Sequence, residues 1–361
     1  MRIAIDGPLK STDGYSVATR GVIAALSRLG ADVVSDVNWK DRALWLEPEV
    51  EEAIKRGHSG ADFGIRFSQP DSAECTPGRI KVCFSMWEFT SVPRGTHKKV
   101  NGELKRVKSW PEGMEQADAH FVPCEFSRRL WLDAGCTKPI FVVPLGYDER
   151  DYFIRQRSDD RPFTFISAGT LSSRKNPNLL LKCFREVFGD DPAYRLIFKT
   201  CEGLPLHWKD LPANVTVISE SWSHSRIAGL YASADVFVNP TQGEGFGLPL
   251  VESMATGLPV IVTGWSAPVD FVNSEVGWFL DYEMREVGTE WHFEDGSYQK
   301  IGYAQPTEES LKNALDYAAD HRDECWRKGM KAAAMVRNRY TWGHTARRIV
   351  EICEGWEVTD E

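Results

Sequence analysis

Two glutamates and three glycines converge in Thr241-Gln-Gly-Glu-Gly-Phe-Gly-Leu-Pro-Leu-Val-Glu252, the stretch whose residue types and spacing point most directly to chemistry. The preceding Asp235-Val-Phe-Val-Asn-Pro240 has the apolar run of a short buried strand, and Leu248 to Ala255 reads as a helix with proline in its first turn. Glu244 then lies on the loop and Glu252 on the first helical turns. Gly243, Gly245 and Gly247 let the backbone pass close to a ligand and take φ values that other residues resist. A helix start also presents N–H groups to an anion. Carboxylates accept from hydroxyls and N–H groups bind phosphate, so one ligand carrying both fits this junction; the plain alternative is an ordinary strand, turn and helix.

These residues need a scaffold, and the chain supplies alternating strands and helices. Residues 2 to 6 form a strand, Pro8 to Ser16 a loop, Val17 to Leu29 an amphipathic helix stopping at Gly30, and Asp32 to Ser35 a second strand. Apolar runs at Ile80 to Met86, Ala119 to Pro123 and Ile140 to Pro144, with a helix over Ser127 to Ala134, continue an open parallel sheet. Glu149 to Pro162 is polar and aperiodic, the character of a linker. A second set follows: strands at Phe163 to Ala168, Tyr194 to Lys199, Val215 to Ile218 and Asp235 to Asn239, and helices at Leu179 to Phe188 and Arg226 to Ala232. Glu309 to Asn338 and Thr341 to Trp356 read as closing helices. With 361 residues and about 150 per domain, two domains are expected, divided as 1–148 and 149–338, with 339–361 as a terminal helix.

Composition narrows the class. Hydrophobic residues at 42% and charged residues at 26% belong to an ordinary water-soluble protein, and no apolar run approaches the roughly 20 residues that span a bilayer. The opening Met1-Arg-Ile-Ala-Ile-Asp6 lacks the order of a signal peptide, so the expected location is cytoplasmic, with peripheral membrane contact as a variant. Eight scattered cysteines without a C-x-x-C pair read as reduced thiols, and eight histidines without ligand spacing give no zinc site. A net charge of −9 weighs against bulk binding to nucleic acid. The exception is Pro93 to Trp110, where Arg94, His97, Lys98, Lys99, Lys105, Arg106 and Lys108 face only Glu103. That stretch reads as a mobile loop or helix for an anionic acceptor, such as a lipid phosphate or, less favoured, nucleic acid; a solvated helix face is the alternative.

The Glu244 to Glu252 segment, with seven residues between its glutamates, resembles the E-x7-E signature of retaining glycosyltransferases of the family 4 type (glycosyltransferase group 1). Ala255-Thr-Gly-Leu-Pro-Val-Ile-Val-Thr263 extends the resemblance. It implies the α/β GT-B fold: two Rossmann-like doubly wound parallel-sheet domains facing a cleft, the first for the acceptor, the second for the sugar-nucleotide donor, with the last helix crossing back to the first. It implies that Glu244 reaches the donor sugar, that Glu252 binds ribose hydroxyls, and that Phe246, Gly247 and Leu248 offer backbone N–H groups. UDP-sugars are favoured by their frequency in the family, and no cofactor or obligatory metal is implied.

Ala168-Gly-Thr-Leu-Ser-Ser-Arg-Lys-Asn-Pro177 is similar to the family's basic stretch facing the leaving diphosphate, with Lys175 on its lysine position. Thr170 stands where many members have arginine, and Arg174 is positioned to supply that charge; a solvated turn capped by Asn176-Pro177 is the alternative. Ser11-Thr-Asp-Gly-Tyr-Ser16 resembles the N-terminal glycine loop beside the donor, giving Gly14, although Asp13-Gly14 also suits a simple turn. Glu88, just past a buried strand in Val82-Cys-Phe-Ser-Met-Trp-Glu88, is either a carboxylate that positions hydroxyls or serves as base, or a structural one. Lys199 and the Ser219 to Ser223 turn would flank the nucleotide base. His120 sits inside an alternating strand, which favours a packing role over a catalytic one. The candidate catalytic set is therefore Glu244, Arg174, Lys175 and Glu88. Two rivals use the same site: a sugar-nucleotide epimerase, which needs acid and base on both sugar faces, and a non-catalytic sugar-nucleotide binding protein.

Overall fold

A computed structural model describes residues 1–9, 13–35, 46–57, 60–72, 76–100, 103–201, 208, 211–292 and 297–357. The chain forms two compact units. Unit 1 comprises Met1–Gly146, Glu286–Gly302 and Tyr340–Glu361, and unit 2 comprises Tyr147–Arg285 and Tyr303–Arg339.

Unit 1 runs β1 (Arg2–Asp6), α1 (Gly14–Arg28), β2 (Asp32–Val34), α2 (Pro48–Lys55), β3 (Phe63–Phe67), β4 (Ile80–Phe84), β5 (His97–Val100), β6 (Glu103–Arg106), α3 (Trp110–Met114), β7 (Ala119–Val122), α4 (Glu125–Asp133) and β8 (Ile140–Val142). Its six-stranded sheet has the order β2-β1-β3-β4-β7-β8, parallel throughout, as buried apolar runs joined by helices dictate. Helix α1 starts three residues earlier than the periodicity indicates, because the Asp13 side chain accepts from the backbone N–H of Ser16 at 2.9 Å and caps it.

Unit 2 follows with β9 (Phe163–Ala168), α5 (Pro177–Phe188), β10 (Tyr194–Thr200), β11 (Val215–Ser219), α6 (His224–Ala232), β12 (Val236–Asn239), α7 (Leu248–Ala255), β13 (Val260–Thr263) and β14 (Gly277–Leu280). Its sheet, β11-β10-β9-β12-β13-β14, is parallel as well, so β9 lies at the point where the strand order reverses. Phe163, Phe165, Phe184, Phe198, Val236 and Ile261 belong to its buried core.

The remaining elements are β15 (Tyr282–His292), β16 (Tyr298–Pro306), α8 (Glu308–Asp320), α9 (Arg322–Arg337) and α10 (Trp342–Glu357). The helix expected over 309–338 is therefore two, broken at His321, whose φ of −121° and ψ of 51° leave the helical region. Helix α10 packs on α1 in unit 1: the indole of Trp342 lies against Gly21, where any Cβ would fall 2.3 Å from the ring. Thr345 Oγ1 donates to the carbonyl of Pro144 at 2.7 Å.

The basic stretch after Pro93 is a strand pair, which corrects the expectation of a loop or helix. Strands β5 and β6 pair antiparallel, with His97 opposite Arg106 and Lys98 opposite Lys105, inside a four-stranded sheet β16-β15-β5-β6. Its tie to the rest of unit 1 is specific. Buried Gln299 accepts from the Arg94 N–H at 2.7 Å and donates to the Val92 carbonyl at 2.8 Å. Gly302 exchanges hydrogen bonds with Thr90, and Ile301 enters an aromatic cluster with Trp87, Trp110 and Trp131. Burying one such isoleucine contributes about 1.5–3 kcal/mol.

Candidate active site

Strand β12 ends at Asn239 and the glycine loop begins two residues later, so the candidate residues lie at the carboxyl edge of the unit 2 sheet. Glu244 is 5% exposed. Its Oε1 accepts from Lys175 Nζ at 2.5 Å and Asn239 Nδ2 at 3.1 Å, and its Oε2 lies 3.6 Å from Arg174 Nη1. Burial opposes its charge, but Lys175, Arg174 and the hydrogen bond from Asn239 outweigh it and hold the carboxyl below the usual carboxylate range. Arg174 also donates to the Gly243 carbonyl, and the Gln242 N–H donates to the Arg174 carbonyl at 2.8 Å, so the basic turn and the glycine loop are laced together.

Two residues other than glycine have positive φ among those described, and both brace this loop. Asn176, at φ 51°, donates from Nδ2 to the Pro240 carbonyl at 2.9 Å. Ser266, at φ 61° and ψ −152°, accepts the Glu244 N–H on its Oγ at 2.9 Å. A serine held there costs about 1–3 kcal/mol, and such conformations concentrate at ligand sites. Gly247 caps α7 at φ 100°, and its conformation turns the loop into the helix. The Phe246 side chain packs on Phe271 at 5.6 Å, and Leu248 is buried as α7 begins.

Glu252 is 8% exposed on α7, where burial raises its pKa against the opposing influence of His224, Tyr152 and Tyr231. Lys199 is nearly buried; its ammonium donates to the carbonyls of Thr200 at 2.9 Å and Glu220 at 2.5 Å, tying the end of β10 to the turn before α6. The turn's Trp222 is stacked by Arg226 at 3.6 Å. Sequence reasoning singled out neither Asn239, Ser266, Tyr152, Tyr231 nor His224; Asn239 alone was signalled, standing at the end of the strand that delivers the loop.

In unit 1, Gly14 is exposed in the first turn of α1 with open space beside it, while Ser11 and Thr12 of the same motif lie outside the described residues. Tyr15 fixes that turn to the segment after β4: its hydroxyl accepts from the Met86 N–H at 3.0 Å, so it is a bracing side chain. Glu88 is half-buried two residues beyond. His120 is wholly buried with Nε2 at 2.9 Å from the Met114 carbonyl, and burial lowers its pKa, which makes it a packed strand histidine. Lys105 and Arg106 are exposed, and Lys108 pairs with Gln116; the side chains of Lys98 and Lys99 lie outside the described set. Among the described residues no helix is long and apolar enough to cross a membrane.

A buried carboxylate neutralised by two cations thus lies on a glycine loop at the carboxyl edge of a parallel sheet. Residues 148–286 match the family model for glycosyl transferases group 1. All but the last of these residues lie in unit 2. Uncharacterized glycosyltransferase 335 of Sulfolobus islandicus rod-shaped virus 1 is 33% identical over 154 residues, covering 38% of this chain and 45% of that one. The GDP-mannose-dependent alpha-(1-6)-phosphatidylinositol dimannoside mannosyltransferase of Mycobacterium tuberculosis is 26% identical over 171 residues, covering 42% of each chain. The chain thus spans less than half the length of these relatives. In fold it is similar to sucrose-phosphate synthase from Thermosynechococcus elongatus, with a TM-score of 0.69 over 99% of both chains at 15% identity. HepE from Anabaena, solved with UDP-glucose, gives 0.64 over 98% of this chain and 100% of its own at 14% identity. The architecture of two parallel-sheet α/β units is that of GT-B glycosyltransferases.

Proposed function

We propose that this chain is a retaining glycosyltransferase that moves a sugar from a nucleoside-diphosphate sugar to an acceptor hydroxyl. The observation that carries the reading is the Glu244, Lys175 and Arg174 cluster, in which two cations are poised on one buried carboxylate. A donor diphosphate brings more negative charge than Glu244, so it competes for Lys175 and Arg174 and frees the carboxylate for a sugar hydroxyl. As the bond to the anomeric carbon breaks, charge grows on the diphosphate, and cations already held in place stabilise it without reorganisation. Leu248 at the α7 start offers a further N–H, and Glu252 holds the ribose. Within unit 1, Gly14 and Glu88 are the residues proposed to serve substrate, Glu88 by positioning a hydroxyl. Lys199 acts by shaping the turn that receives the nucleotide base.

Lys105 stands opposite Lys98 and Arg106 opposite His97 across the β5–β6 pair, and both β6 cations are exposed. An anionic acceptor is attracted to these exposed cations. Reversing Lys105 and Arg106 to glutamate is expected to weaken binding to vesicles of an anionic phospholipid while hydrolysis of the donor continues; retained binding would remove the acceptor assignment.

The function is tested by mixing the protein with a panel of UDP- and GDP-sugars, since named relatives include a GDP-mannose-dependent enzyme and a structure holding UDP-glucose. Release of nucleoside diphosphate, unaffected by EDTA, is the expected outcome. An isomerised donor would indicate an epimerase, and binding without turnover a sensor.

A further inference from the structure

Three side chains from other parts of unit 2 act electrostatically on Glu252. Tyr152 lies in the segment leading to β9, His224 opens α6 and Tyr231 lies on its last turn. Both tyrosines are 1% exposed, and their rings lie 24° apart in plane with centroids 6.5 Å apart. The Tyr152 hydroxyl is 3.1 Å from Nδ1 of His224. Arg337 holds the Tyr152 backbone in place, donating from Nη2 to the carbonyls of Tyr152 at 2.7 Å and Ala255 at 3.1 Å, so Tyr152 is fixed to the end of α7 that carries Glu252.

A phenol has one hydrogen to give. If His224 Nδ1 is bare, it takes that hydrogen. If Nδ1 carries its own hydrogen, it donates to Tyr152, whose hydrogen then turns to the carboxylate beside it. We propose that His224 and Tyr152 form a positioning pair in which Nδ1–H donates to the phenol and the phenol donates to Glu252, aiming that carboxylate at the ribose diol of a bound nucleotide. The proposal rests on the reading of Glu252 as the ribose-holding group. Burial works against the charge on Glu252, and the two phenols with His224 are the groups that favour it, while Asp151 opposes it. Packing alone does not need the hydroxyl, because phenylalanine fills the same space.

The test measures affinity for UDP and GDP, each beside its 2′,3′-dideoxy counterpart, by calorimetry. Wild-type protein is expected to prefer the ribonucleotide by about tenfold or more, since hydrogen bonds to a buried charged group contribute at least that much. Glu252→Gln abolishes most of the preference. Tyr152→Phe and His224→Leu reduce it at least about threefold while dideoxynucleotide affinity stays within about twofold, which also shows that the site is folded. His224→Asn, with an amide N–H near the Nδ1 position, restores it. Tyr147→Phe, a control at a buried ring 5.7 Å from Tyr152, leaves it unchanged. If Glu252→Gln loses the preference while Tyr152→Phe and His224→Leu keep it, the positioning pair is wrong and the ribose reading stands. If Glu252→Gln keeps the preference, or wild type shows none, the ribose reading falls and the pair with it.

Discussion

Removing Lys175 tests whether the Glu244 cluster works as one electrostatic unit. Unit charges 4 Å apart attract by about 4 kcal/mol at an effective dielectric of about 20. Here the contacting atoms are 2.5 Å apart, with side chains 16% and 6% exposed, so little of that is lost to solvent. Breaking a buried pair from one side typically costs about 3–5 kcal/mol. Arg174 remains 3.6 Å from the other oxygen and Asn239 still donates, which places Lys175→Ala lower, at about 2–3 kcal/mol of stability. Glu244→Ala should cost a similar amount, and the double variant little more than either, giving a coupling of about 2 kcal/mol in a double-mutant cycle read by urea unfolding. The sign with pH follows: the Glu244 carboxyl is depressed in the folded state, so its contribution is present above the ordinary value of 4.5 and fades as pH falls through the folded one. Each single variant should also lower nucleotide release more than about tenfold, or roughly 1.4 kcal/mol of barrier. Additive stability losses, or full turnover in either variant, would refute the reasoning.

Glu252 has the opposite sign: burial raises its folded pKa, so stability declines as pH climbs from 4.5 through the folded value and levels off above it. Glu252→Gln should therefore melt higher than wild type at neutral pH, converge with it near the ordinary carboxylate value, and bind nucleotide more weakly; a variant that melts lower throughout contradicts this. Gly247→Ala forces a side chain into φ 100° with its Cβ 2.9 Å from Leu250, and should cost about 1–3 kcal/mol in unfolding experiments together with nucleotide affinity. Gly21→Val drives atoms into the Trp342 indole and should destabilise by about 1–3 kcal/mol or more, visible as a lower urea midpoint with donor hydrolysis by the folded fraction preserved.

The site loop was legible because its signals are local. An apolar strand, glycines needed for the turn and a proline in the first helical turn all fall within 20 residues, and β12 and α7 formed where these placed them. The return of α10 to α1 was not local information; it came from resemblance, and the contact that explains it joins Gly21 to Trp342. The β15–β16 arm carried no clear signal, because residues 281–286 are all exposed and so lack the alternation of a half-buried strand. Strand β5 was obscured by its charges, since His97-Lys-Lys-Val100 has low intrinsic strand character and one of its two partners, β15, is distant in sequence. The surroundings of Glu252 were hidden for the same reason: Tyr152 is 100 residues away, and only tertiary packing lets it act on the carboxylate.

The most direct measurement follows the anomeric proton of a UDP- or GDP-sugar by NMR while the protein turns it over. The account predicts that diphosphate is released and that the transferred or hydrolysed sugar first appears with the donor's anomeric configuration, at a rate that collapses in Lys175→Ala. A sugar that appears inverted, an epimerised donor, or a donor that binds and stays intact would contradict it.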